Sequence, residues 1–242
     1  MLTHSTVIIE KQLLENLNLI YRRMAHSAMR AGREPAEVRL IAVTKNVEIG
    51  RLRAAVAVGM REFGENRVQE AQKKVDNEEL KVLNGRVHWH LIGHLQKNKA
   101  KTAVALFDLI HSVDSFELAE ELDRQAAKLS KKQRVLIQVK LSEEESKYGI
   151  PEDALPDLLQ RTAALVNIRV EGLMTIPPFF EDSETSRPYF KKLSSLRNAA
   201  EKIGFQLPEL SMGMSNDYEV AIEEGATMVR VGTAIFGERR YT

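Results

Sequence analysis

The chain contains no cysteine. That absence excludes disulfides, thiolate metal sites and a cysteine nucleophile. No apolar run approaches the roughly 20 residues of a membrane-spanning helix. Charge of one sign is not in excess either: 35 Lys and Arg face 34 Asp and Glu, for a formal net charge of +1. Such a balance gives no field for drawing in nucleic acid or an anionic membrane surface. The opening stretch, MLTHSTVIIEKQLLENL, brings charge too early for a signal-peptide core, so a cytoplasmic protein is expected. There is no low-complexity tract and no linker, and residues 1–242 are read as one domain.

What is present is ordinary in bulk, with 43% hydrophobic and 29% charged residues, and points to a globular protein. The 242 residues come close to the roughly 250 of a (β/α)8 barrel. Residues 7–31 read as a helix with Leu13, Leu17, Ile20 and Met24 on one stripe, broken by AGREP. Beyond it, short apolar strands alternate with amphipathic helices. Strands are expected near 39–45, 61–65, 87–93, 108–113, 134–141, 169–175, 208–213 and 227–232. Strands that are apolar on both faces, each followed by a helix, form a parallel sheet covered by helices. Eight strands close a barrel, so the expected fold is α/β, a (β/α)8 TIM barrel with an extra N-terminal helix. The structural rival is an open doubly wound sheet. No Gly-x-Gly-x-x-Gly follows the first strand, which speaks against its dinucleotide-binding form. The charged stretch at 140–149 reads as an exposed loop.

In a barrel, chemistry is expected at the C-terminal ends of the strands. The polar residues there include Lys45, Asn66, His90, Thr175, Ser211, Ser215, Arg230 and Thr233. A lysine at the end of an apolar strand is poorly solvated, and a neutral amine is a nucleophile that forms a Schiff base with a carbonyl. The bland alternative is a lysine past the rim, in water. A second signal lies in the turns after strands seven and eight, the usual phosphate site of this fold. ELSMGMSNDYEVAIEEG (209–225) sets a Ser/Gly turn between a strand and a helix, and VRVGTAIFG (229–237) sets Gly232-Thr233 after the last strand. Amides and hydroxyls there point at an anion, and glycine lets it approach. Ser215 could also be a helix cap, and Gly232-Thr233 an ordinary turn. A lysine plus a phosphate site suggests pyridoxal 5′-phosphate, whose aldehyde a lysine holds as an imine. Arg230 lies two residues before Gly232 on the same strand face and could meet the pyridine nitrogen. Its alternative is a salt bridge to a carboxylate such as Glu65.

The motifs AVTKN (42–46), FGENRVQEA (63–71), WHLIGHLQKNK (89–99), HSVDS (111–115), SKYG (146–149), GLMTI (172–176), LSMGMSNDYEVAI (210–222) and VRVGTAIFG (229–237) also match a family in order. The sequence resembles the pyridoxal phosphate homeostasis proteins, which look like the barrel domain of alanine racemase standing alone. The resemblance implies that Lys45 carries the cofactor as an aldimine. It implies that Ser215, Gly232 and Thr233 hold the phosphate and that Arg230 faces the ring nitrogen. Asn66, His90, Met174 and Met212 would lie around the ring. It further implies a cytoplasmic monomer with no established reaction, associated with buffering the cofactor or delivering it to apo-enzymes.

Two other stretches invite function. HWHLIGH (88–94) puts His88 and His90 on one strand face, as in metal-dependent barrel hydrolases. The last histidine is His111, so later strands offer none to complete such a site. QKNKAK (96–101) could grip RNA phosphates, but without interleaved aromatics it reads as a solvated helix start. Three classes stay open: a cofactor carrier, a racemase-like enzyme and a metal-dependent hydrolase. Against turnover stands the second base of alanine racemase, which comes from a further domain and a dimer partner. Here only ten residues follow Gly232.

Overall fold

A computed structural model describes residues 4–81, 87–144 and 148–237, with side chains from Val7 onward. The first half runs α1 (His4–Arg30), β1 (Arg39–Val43), α2 (Ile49–Ala57), β2 (Glu62–Glu65), α3 (Val68–Val75), α4 (Glu78–Lys81), β3 (His88–Leu91), α5 (Ala100–Leu106) and β4 (Leu109–Val113). The second half runs α6 (Phe116–Lys128), β5 (Gln133–Gln138), α7 (Leu155–Thr162), β6 (Ile168–Met174), α8 (Arg187–Lys202), β7 (Glu209–Met214), α9 (Tyr218–Glu223), β8 (Met228–Val231) and α10 (Thr233–Phe236). The eight strands pair in parallel, each with its neighbour in sequence, and β8 closes on β1. The fold is a (β/α)8 barrel with an N-terminal helix, as the rhythm of the sequence implies.

Both faces of each strand are apolar because each faces a different core. Ile41, Leu109, Leu136, Met174 and Met228 fill the barrel interior. Their neighbours in sequence, such as Leu40, Ala42, Ile110 and Ile137, pack outward under the helices. The apolar stripe of α1 is buried, and α1 packs on α2, α9 and α10. It therefore straddles the seam where the last strand meets the first. Burying Leu13, Leu17, Ile20 and Met24 there contributes about 1.5–3 kcal/mol each. The Arg33 guanidinium after α1 donates to the carbonyls of Ile222 and Ala226, both at 2.9 Å, and fixes the seam further.

Several strands stop short of the ends expected from sequence. β1 ends at Val43, and Lys45 lies in a turn with Asn46 at φ 59°. β3 ends at Leu91, so Ile92 and Gly93 leave the ladder and border the C-terminal mouth instead. β7 is irregular: its register on β8 shifts between Ser211 and Met214, around Gly213 at φ 90°. A Cβ at Gly213 would come within 2.6 Å of the Ala221 Cβ, so the tight approach of α9 to this strand requires glycine. Among the described residues no helix is long and apolar enough to cross a membrane.

Candidate cofactor-binding site

A cavity of about 460 Å³ opens at the C-terminal mouth of the barrel. Val43, Ile92, Ile176 and Met214 supply apolar walls, and Asn66, Ser215, Arg230, Gly232 and Thr233 supply polar groups. Arg230 is 3% exposed. Its guanidinium donates to the Ser211 hydroxyl at 2.6 Å and to the Thr175 carbonyl at 2.9 Å. No carboxylate of a described residue pairs with it. Burial brings the guanidinium down to about 10, with the charge of Asp217 opposing, so it remains a cation at neutral pH. Glu65, the sequence alternative as its partner, is engaged elsewhere: it accepts from Thr44 and Lys74. The Gly232 amide donates to the Ser215 hydroxyl at a long 3.3 Å. Asp217 accepts from the Met214 amide at 2.7 Å and pins the turn that carries Ser215. The donor set is thus one buried guanidinium, two hydroxyls and a glycine amide, which suits a ligand with an anionic end and a ring acceptor.

Lys45 borders a second, adjoining cavity of about 680 Å³. Asn66, Gly93, His94 and Tyr148 line both cavities and form their common wall. Tyr148 stacks on His94 with ring centroids 3.9 Å apart, and His94 pairs with Asp114 at 3.2 Å. Burial pushes the Asp114 carboxyl up, against the charge and hydrogen bond of His94. A Cβ at Gly93 would lie 2.3 Å from the Asn66 carbonyl oxygen, so glycine lets the segment after β3 press on the residue that divides the two cavities.

The turn bearing Lys45 is held from below by a buried ion pair. Lys74 of α3 donates to the Thr44 carbonyl at 2.6 Å, to Glu65 at 2.7 Å and to Glu70 at 2.9 Å. Glu70 in turn accepts from the Asn46 amide at 2.6 Å. Lysine 45 itself is half-buried and makes no ion pair with a described residue.

The chain matches the family described as alanine racemase, N-terminal domain, over residues 16–240. A pyridoxal phosphate homeostasis protein of Aquifex aeolicus (strain VF5) is 45% identical over 228 residues, spanning 94% of this chain and 98% of that one. The chain belongs to the alanine racemase N-terminal domain family, among the pyridoxal phosphate homeostasis proteins. Of solved structures, PipY of Synechococcus elongatus PCC7942 with PLP bound is 41% identical at TM-score 0.79, over 90% of this chain and 100% of that one. Alanine racemase of Clostridium difficile 630 is 15% identical at TM-score 0.70, over 96% of this chain and 58% of that one, and shares the barrel fold.

Of the residues that the resemblance to the homeostasis proteins assigns, the structure gathers Asn66, Ser215, Arg230, Gly232 and Thr233 on one cavity, with Lys45 on its neighbour. It does not bring His90, Met174 or Met212 to either. Met174 belongs to the interior layer beneath, and the next inward residue, Ile176, reaches the cavity. His90 is likewise one layer too deep, and Ile92 takes its place. Met212 points outward under the helices because Ser211 points inward. The extra residue at Gly213 then resets the alternation and turns Met214 to the cavity. A glycine inside a strand is the sequence signal for such a bulge. His88 is exposed while His90 is buried, and among the described residues no group of three or more His, Asp or Glu is arranged to hold a metal ion. The sequence gives no sign of His94 as a wall, whereas Tyr148, which with Tyr241 is a residue that could move over the site, lines both cavities. Tyr241 lies outside the described residues, as does part of the SKYG motif.

Proposed function

We propose that this chain binds pyridoxal 5′-phosphate and serves homeostasis of that cofactor, holding it through Lys45 without efficient catalytic turnover. The observation that carries the reading is a buried guanidinium with no carboxylate partner among the described residues, converging with two hydroxyls and a glycine amide on one cavity beside a lysine. Relatives named for this role, and PipY with PLP bound, support it. When bound, the cofactor supplies an aldehyde that captures amines and a ring that draws electrons from what it captures.

The chain's own residues divide the work. Ser215, Thr233 and the Gly232 amide hold the phosphate. Lys45 supplies the amine for the aldehyde. Val43, Ile92, Ile176 and Met214 keep water from the ring. Arg230 donates a hydrogen bond to the ring nitrogen. In this reading the protein works as a cytoplasmic monomer and passes the cofactor to apo-enzymes.

Thr233→Val removes one hydroxyl and keeps the shape. A hydrogen bond to a charged group contributes about 1.5–3 kcal/mol, so affinity for pyridoxal 5′-phosphate is expected to fall by roughly 10- to 100-fold in a titration. Pyridoxal, without the phosphate, is expected to bind native protein far more weakly. Equal affinity for the two ligands rejects the phosphate site.

Turnover is a separate matter. The ring is a strong electron sink when its nitrogen is protonated and paired with a carboxylate. Arg230 keeps its own proton and donates only a hydrogen bond. Loaded protein is therefore expected to exchange the α-proton of alanine and other amino acids for deuterium far below enzymatic rates of roughly 1–10³ s⁻¹. Racemisation near one per second that disappears in Lys45→Ala would make this an enzyme.

A further inference from the structure

Arg230 and four polar side chains behind it form one unbroken line through the barrel. Arg230 Nη1 donates to Ser211 Oγ at 2.6 Å. Ser211 Oγ meets His111 Nδ1 at 2.8 Å. His111 Nε2 meets His90 Nδ1 at 2.9 Å, and His90 Nε2 meets Glu62 Oε2 at 2.6 Å. Arg230, Ser211, His111 and His90 are at most 3% exposed. Glu62 is the first residue of β2, on the opposite mouth of the barrel, and its side chain is 24% exposed. The line crosses from the candidate cofactor cavity to the far end of the molecule.

The chemistry of the two ends fixes every proton between them. Arginine can only donate and a carboxylate can only accept. Ser211 takes a hydrogen bond from Arg230, so its own proton is free for His111 Nδ1. Neutral His111 then carries its proton on Nε2 and gives it to His90 Nδ1. His90 carries its proton on Nε2 and gives it to Glu62. The reverse order would set the bare Nε2 of a neutral His90 against a carboxylate, acceptor against acceptor, at 2.6 Å. It becomes possible only when His90 holds a second proton. His111 then carries its proton on Nδ1, and Ser211 must accept from both sides. The line therefore has two ordered states that differ by one proton.

The surroundings keep His111 neutral and Glu62 ionised, as both states require. Full burial, His90 and the guanidinium of Arg230, with smaller effects of Arg39 and Arg134, hold His111 well below its usual range. Burial pushes the Glu62 carboxyl up, but the hydrogen bond and charge of His90, with His88 and Arg39, outweigh it and keep it ionised. On the cavity side Asp217 is the carboxylate that acts on Arg230.

We propose that Glu62, His90, His111 and Ser211 are positioning residues for Arg230, and that their line carries the proton state of the far barrel mouth to the guanidinium. The link to the cofactor ring rests on the reading of Arg230 given above; the line itself does not. In the first state Ser211 Oγ accepts from Arg230 alone. In the second it accepts from two donors, and a positive charge stands two groups away. The hold on the guanidinium, and with it the field at the ring nitrogen, differs between the two.

The test is nitrogen-15 NMR of the unliganded protein, reading the histidine rings and the Arg230 side chain. At pH 8 both His90 and His111 are expected as neutral Nε2–H tautomers. Glu62→Gln keeps an acceptor but removes the charge, and is expected to shift the Arg230 side-chain resonances from across the barrel. In a Ser211→Ala background, where the line is cut, the same substitution is expected to leave them unmoved. An Nδ1–H tautomer at His111 beside a neutral His90 overturns the proposal. So does an Arg230 signal indifferent to Glu62→Gln in native protein, or an equal shift with and without Ser211. A second arm uses protein loaded with pyridoxal 5′-phosphate, where Glu62→Gln is expected to shift the pH midpoint of the visible spectrum. If the unliganded arm succeeds and no visible spectrum develops, the cofactor reading fails and the line stands. If the spectrum develops but its midpoint ignores Glu62→Gln, the line does not reach the ring and the proposed link is rejected.

Discussion

Lys45→Ala is expected to abolish the visible absorbance that native protein acquires with pyridoxal 5′-phosphate, while circular dichroism stays native. The loss is complete because, among the described residues, Lys45 is the amine closest in the chain to the 460 Å³ cavity, two residues after Val43, which lines it. Lys99 lines the same 680 Å³ cavity but follows β3, five residues beyond His94 of the common wall. Lysine 74 is committed to Glu65, Glu70 and the Thr44 carbonyl. The fold survives because Lys45 stands in a turn beyond β1, half-buried, with no ion pair to a described residue to lose. Borohydride treatment followed by peptide mapping should find the pyridoxyl group on Lys45 in native protein and nowhere in the variant. A pyridoxyl group on Lys99 in native protein would reject the assignment.

The barrel is legible in the sequence because a strand buried on both sides cannot alternate, and eight such runs stand between amphipathic helices. Ser215, Gly232 and Thr233 are legible for a related reason: their fold position, after the last two strands, is set by counting. The depth of a residue in the barrel is not. His90 and Ile92 have the same inward direction and differ by one layer, and only the tilt and stagger of the closed sheet decide which one reaches the cavity. Met212 fails for a local reason. One extra residue at Gly213 shifts the inward phase from Met212 to Met214, and a one-residue slip turns a side chain to the opposite face. The line from Arg230 to Glu62 is still less legible, since its five members come from five strands separated by up to 168 residues of chain (230 − 62). Each looks, in sequence, like an isolated polar residue in an apolar run.

The Lys74–Glu65 pair was equally hidden, and its removal is expected to have the largest effect on stability. Lys74→Met leaves Glu65 with only the Thr44 hydroxyl on Oε1. Its Oε2 has no hydrogen-bond partner among the described residues even with Lys74 in place. The two side chains are 7% and 0% exposed, so water cannot replace the lost ammonium. Breaking a buried pair from one side costs about 3–5 kcal/mol. The effect should depend on pH in a definite sense. Burial already raises the Glu65 carboxyl above its usual value, opposed mainly by the charge and hydrogen bond of Lys74. A carboxyl raised in the folded state stabilises the fold fully below the unfolded value and loses that contribution as pH climbs through the folded one. Removing Lys74 raises the folded value further and widens that window upward. The deficit of Lys74→Met, measured by urea unfolding against native protein, should therefore be largest near pH 8 and shrink toward pH 5. The same variant frees the Thr44 carbonyl and Glu70, which hold the turn around Lys45. Cofactor uptake through Lys45 should then slow even where the protein remains folded. A deficit that is independent of pH would show that Glu65 does not stay ionised in the buried pair, and that the turn is held by packing alone.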